Sequence, residues 1–174
     1  INKLMLTHDD KGIYIGFDIF DDTIDIKTVN DFWLGDCVEI FMSSVVNMPN
    51  ADMQVYKDEG GVLQAAFSPR WASTNFAAVS DVRTNSTYVK NKNLLEANVI
   101  QNENGYIGEI LISYTFAPEF KETVNAGNPI DMAIVVADAE RANIGLKRVQ
   151  MANVPHFVES YKTKTARMPQ YIFK

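Results

Sequence analysis

Apolar and polar residues alternate with a period of two in short runs closed by Gly, Asn, Asp or Pro, and helical periodicity is nearly absent. Leu4 and Leu6 lead into the turn His8-Asp9-Asp10-Lys11-Gly12, after which Ile13, Ile15, Phe17 and Ile19 alternate with Tyr14, Gly16 and Asp18. This spacing predicts a hairpin with one core face. A third strand follows over 36–43, with Val38, Ile40 and Met42 on one face and Cys37, Glu39 and Phe41 on the other. The more aliphatic face is expected to meet the core, which turns Glu39 outward or toward the loops. Segments 53–57 and 62–68 flank Asp58-Glu59-Gly60-Gly61 and read as a second hairpin. Segments 94–102 and 106–113 flank Glu103-Asn104-Gly105 and read as a third, the clearest of the set.

Residues 130–137 are apolar on both faces apart from Asp131, the pattern of a central strand. Weaker signals place closing strands at 147–152 and 170–173, and a helical turn at 115–121 despite Pro118. The sum is an all-β fold, an antiparallel β-sandwich of two sheets and about eight to ten strands. Three stretches, 21–35, 69–93 and 139–165, read as loops too long to be plain connectors, and such loops often carry function.

Composition adds limits to this picture. The 174 residues suit one domain without linker or repeat, and 47% hydrophobic against 22% charged residues is the balance of a globular chain with a packed core. A net charge of -6 repels phosphate backbones and anionic headgroups, so neither nucleic acid nor a membrane surface is an expected partner. The run 130–137 is far shorter than the roughly 20 residues that span a bilayer. Residues 1–12 read as strand and turn and not as a signal peptide. The single cysteine, Cys37, has no partner for an internal disulfide and reads as a small packing residue.

Catalytic signatures are missing. No zinc-spaced Cys/His set, H-E-x-x-H, G-x-S-x-G, P-loop or G-x-G-x-x-G occurs, and His8 and His156 read as locally bonded or solvated side chains. Asp36 and Glu39 are three apart on a strand and point to opposite faces, so they cannot form a glycosidase couple with each other. No catalytic residue is assigned. The acidic string Asp18, Asp21, Asp22 and Asp25 offers hard oxygen ligands of the type calcium takes, although not at EF-hand spacing. Trp33 and Trp71 both fall in loops, where an indole can stack on a pyranose ring while carboxylates and arginines such as Arg70 and Arg83 bond its hydroxyls. Each tryptophan can equally plug the core or a loop cluster.

Several segments in order resemble the family-nine carbohydrate-binding module and its wider superfamily, which includes the DOMON domains. The stretch from His8 to Asp22, with Tyr14-Ile15-Gly16-Phe17-Asp18 at its centre, is similar to that family's first hairpin. Trp33-Leu34-Gly35-Asp36-Cys37-Val38-Glu39-Ile40-Phe41-Met42 resembles its W-x-x-D-x-v-E-i-f strand and is the most specific match. Gly105-Tyr106-Ile107-Gly108-Glu109-Ile110-Leu111-Ile112-Ser113-Tyr114 and the apolar strand ending at Asp138 follow at matching distances. The resemblance implies a β-sandwich, frequent calcium, and a place on secreted polysaccharide-degrading enzymes. It also implies a sugar gripped by Trp33 and Glu39. Departures are Ser113-Tyr114 for the usual Pro-Trp, no second stacking tryptophan near the C-terminus, and no counterpart of the family's opening strand before Ile1.

The leading reading is therefore a non-catalytic carbohydrate-binding module of a secreted or surface glycan-processing protein, whose other domains are its neighbours. The alternatives are a structural or partner-docking sandwich that has lost the sugar site, and a DOMON-like electron-transfer domain holding haem through Met and His.

Overall fold

The computed structural model describes residues 3–25, 35–44, 62–67, 77–81, 86–89, 95–115, 117–142, 145–152 and 168–174. Two antiparallel sheets build it. The first has the order β1-β2-β8-β7, from β1 (Lys3–His8), β2 (Gly12–Phe20), β8 (Gly105–Ser113) and β7 (Leu95–Asn102). The second has the order β10-β9-β3-β4-β5-β6. It comprises β10 (Gly145–Ala152), β9 (Ile130–Ala142), β3 (Cys37–Ser43), β4 (Val62–Phe67), β5 (Ala77–Asp81) and β6 (Ser86–Val89), and β11 (Gln170–Tyr171) also pairs with β9. One helix, α1 (Pro118–Asn125), crosses between β8 and β9, with Pro118 at its first turn, where a missing N–H costs nothing.

The period-two reading holds for β2 and β3, and β9 is the central strand expected from its two apolar faces. Ile13, Ile15, Phe17 and Ile19 of β2 meet Val38, Ile40 and Met42 of β3 and Ile130, Met132, Ile134 and Val136 of β9 in one buried cluster. Each such side chain contributes about 1.5–3 kcal/mol by leaving water. Phe120 and Val124 of α1 close one end of it. Strand β9 lies between β3 on one edge and β10 and β11 on the other, and Ile130 through Ala137 are buried on both faces.

Two glycines are dictated by backbone or ring contacts. Gly105 ends the β7–β8 turn at a φ of 138°, and a Cβ there would sit 2.1 Å from the Ile19 carbonyl oxygen. Gly108 lies across the ladder from Phe17, whose ring rests where its Cβ would be, 2.2 Å from Cζ.

Three sequence expectations are corrected, on the stretch 69–93, on 139–142 and on the number of strands. β4 pairs with β3 on one edge and β5 on the other, and the segment 53–57 expected to form a hairpin with it lies outside the described residues. β5 and β6 occupy part of the stretch 69–93 that reads as loop; they are short, carry Ser80, Asp81, Ser86 and Thr87, and pair with a register shift between Val79 and Asp81. β9 runs on through 139–142, in the third supposed loop, while β10 bears out the closing strand expected at 147–152 and begins two residues earlier. The described residues therefore hold eleven strands, one more than the expected range.

Candidate functional site

Two neighbouring features at and beside the start of β3 bear on function. The first is a set of carboxylates at one end of the sandwich. Cys37 pairs with Ala137 in antiparallel register, so Asp36 and Asp138 stand opposite each other just beyond that rung. Asp21 leaves β2 at the same end, where its N–H donates to the Asn104 carbonyl at 2.9 Å. Asp21, Asp36 and Asp138 each present a carboxylate oxygen within 4.8 Å of the others.

Asp36 is fully buried and acts as a clamp. Its Oδ1 accepts from the Ala139 N–H at 2.7 Å, its Oδ2 accepts from the Asp25 N–H, and its own N–H donates to the Asp25 carbonyl at 2.9 Å. One side chain thus ties the loop after β2 to β9. Burial pushes the Asp36 carboxyl up to about 7; the two backbone donors oppose this, and the charges of Asp21 and Asp138 add to it. Tyr106 is buried in the same region with no hydrogen-bond partner for its hydroxyl among the described residues, and packs edge-on to Phe17 at 6.3 Å. Burial, then Cys37 and the same three aspartates, push its phenol well above its ordinary value.

The second feature is the face of β3 turned away from the inter-sheet core. Glu39 lies there, on a rung with Ala66 of β4 and Val135 of β9. The face is the one expected from alternation. Its solvent exposure is not, for Glu39 is only 3% exposed. The reason is that this outer face is itself covered: Phe41, Ala133, Val135 and Met168 form a second buried cluster on it. Alternation tells which way a side chain points and not what lies over it.

Of the expected metal ligands, Asp21 joins the carboxylate set, whereas Asp25 reaches it through its backbone. Asp18 pairs with Lys3 and Ile107 on the outer face of the first sheet, and Asp22 is exposed in the following turn. The string read from sequence is therefore not the set that converges. Asp36 and Asp138, which do converge, were visible as acids at the ends of two apolar strands. Their meeting depends on which strands pair. Trp33, Trp71, Arg70 and Arg83 lie outside the described residues, as does His156. His8 stacks edge-on to Phe173 at 5.7 Å, and Met42 and Met132 are core side chains.

Comparison with known proteins gives two kinds of likeness. The model of a family described as carbohydrate family 9 binding domain-like matches residues 2–158. A family 9 carbohydrate-binding module from Caldicellulosiruptor kristjanssonii in complex with cellotriose matches at a TM-score of 0.67 and 14% identity, covering 98% of this chain and 73% of that one. A structure described as a family 9 module from the same organism in complex with glucose matches at a TM-score of 0.68 and 14% identity, covering 98% and 75%. At that identity the two structures establish the fold alone. No curated protein matches the chain.

Proposed function

The chain belongs to the carbohydrate family 9 binding domain-like family, and on that premise we propose that it is a non-catalytic module that grips the sugar units of a glucan at the head of β3. The observation that carries this reading is the family match over residues 2–158. Trp33 supplies the stacking face and Glu39 accepts hydroxyls, six residues further on. The pair rests on the resemblance, for Glu39 lies on the strand face away from the core but is 3% exposed beneath Phe41, Ala133, Val135 and Met168, so a ligand hydroxyl reaches it only by displacing that cover. Arg70, Trp71 and Arg83, in the segment between β4 and β6, are the next place for a ligand if the Trp33 and Glu39 pair does not hold one. Glucose and cellotriose, the ligands of the similar modules, are the natural first probes. Affinity electrophoresis through gels containing soluble glucans tests the reading. Retardation of the parent and free migration of Trp33→Ala is expected; equal migration of the two would overturn it.

Calcium is proposed between Asp21, Asp36 and Asp138. The donor set fits, since oxygens bound to one calcium at 2.3–2.6 Å lie at most about 5 Å apart, and these three carboxylates meet that limit. A buried carboxylate beside two half-buried ones also calls for a cation, which would offset their repulsion and fasten the loop after β2 to β3 and β9. Saturating calcium is expected to raise Tm by about 5–10 °C, the effect of a ligand at roughly 100 times its Kd on a domain of this size. Asp138→Asn should lose that response in a melting experiment with and without chelator. Following the resemblance, the larger protein is proposed to act on glycans outside the cell.

A further inference from the structure

The outer face of the first sheet carries a second feature that the reading above does not use. A cavity of about 410 Å³ opens where the β1–β2 turn, the ends of β7 and β8 and helix α1 meet. Pockets of small-molecule sites span about 300–1,000 Å³. Its floor is Leu111, which is buried although it points away from the inter-sheet core, and Tyr14 stands directly across the ladder on the same face. Its rim holds Asp10 and Glu96 against Lys11 and Lys121. Tyr114 completes the wall: it is 6% exposed, and its buried hydroxyl has no hydrogen-bond partner among the described residues.

The walls are fixed by the fold. Asp9 Oδ1 accepts from the N–H groups of Lys11 and Gly12 at 2.8 and 3.2 Å, its Oδ2 accepts from the Tyr14 hydroxyl at 3.0 Å, and the Tyr114 N–H donates to the Lys11 carbonyl at 2.8 Å. The turn and the end of β8 are thus held together by the backbone, while the charged heads on the rim stay exposed.

We propose that this cavity is a second sugar-binding site, distinct from the Glu39 face and on the opposite sheet. Its charges cancel, so it favours neither an anion nor a cation. It presents carboxylate acceptors, ammonium donors and a phenolic donor around an aliphatic floor. The ligand group that donates and accepts at once is the hydroxyl, and a ring bearing several of them over a C–H face is a neutral sugar. The buried Tyr114 hydroxyl lacks a partner among the described residues, and a ligand hydroxyl that reaches it from the cavity would supply one.

The test is a titration of the isotope-labelled chain with D-glucose, followed by amide chemical shifts. Saturable shifts at Lys11, Glu96, Leu111, Thr115 and Lys121 are expected, and they should persist in Glu39→Gln. Glu96→Gln combined with Lys121→Met, both exposed positions, should weaken that set at least fivefold and leave the Glu39 region unchanged. Tyr114→Phe should raise Tm, because it removes a buried unpaired hydroxyl, and should at the same time weaken the same shifts; a purely structural tyrosine would move only Tm. Shifts here without any near Glu39 would uphold this site and overturn the primary one. Absence of saturation at these amides, or their loss in Glu39→Gln, would overturn the second site.

Discussion

Asp36→Ala is expected to lower stability by about 3–5 kcal/mol, because it strands two buried N–H donors, each worth about 1–3 kcal/mol when left unpaired. Those donors belong to Ala139 and Asp25, from a strand and a loop more than a hundred residues apart in sequence. The mutation therefore releases the loop after β2 from β9. For a domain of this size the loss reads as a fall in Tm of roughly 6–20 °C by calorimetry. Asp36→Asn keeps one acceptor oxygen and should cost about half as much. It should also abolish the calcium response, since an amide carries no charge to offset a cation. A Tm unchanged by Asp36→Ala would mean that the clamp does not hold the loop.

Glu39→Gln is expected to weaken glucan binding by about 10–100-fold while leaving Tm within a few degrees of the parent. The expected loss follows from exchanging a charged acceptor for a neutral one, and hydrogen bonds to charged groups are worth about 1.5–3 kcal/mol. Stability should be spared because glutamine keeps the side-chain volume at a site where Glu39 is packed near Phe41 and Val135. Calorimetric titration with cellotriose measures the first effect and thermal melting the second. An unaltered affinity would remove Glu39 from the site.

The parts of this fold that can be read in the sequence are those governed by local alternation. The core faces of β2 and β3 follow from period two alone, β9 is legible as a central strand because it is apolar on both faces, and the β7–β8 turn follows from Asn104-Gly105, whose glycine adopts the positive φ. What escaped depends on contacts distant in sequence. Asp36 and Asp138 meet because β3 and β9 are antiparallel neighbours, whereas a search for nearby acids selects Asp18 and Asp22, which the strand and turn direct elsewhere. The burial of Glu39 escaped for a related reason, since Met168, on the same outer face, arrives from the far end of the chain. β5 and β6 escaped because Ser80, Asp81, Ser86 and Thr87 resemble loop residues. Tyr114 was visible only as a departure from the resemblance, and its role depends on a cavity that no single segment forms.

The central claim, sugar held against Trp33 at the head of β3, is tested most directly by tryptophan fluorescence. The chain has two tryptophans, so Trp71→Phe leaves Trp33 as the sole reporter. Titration of that variant with cellotriose is predicted to shift its emission saturably, with the midpoint found for the parent by calorimetry, while Trp33→Phe gives no response and no binding heat at the same concentrations. A saturable change confined to the protein that retains Trp71, or undiminished binding heat in Trp33→Phe, would contradict the account.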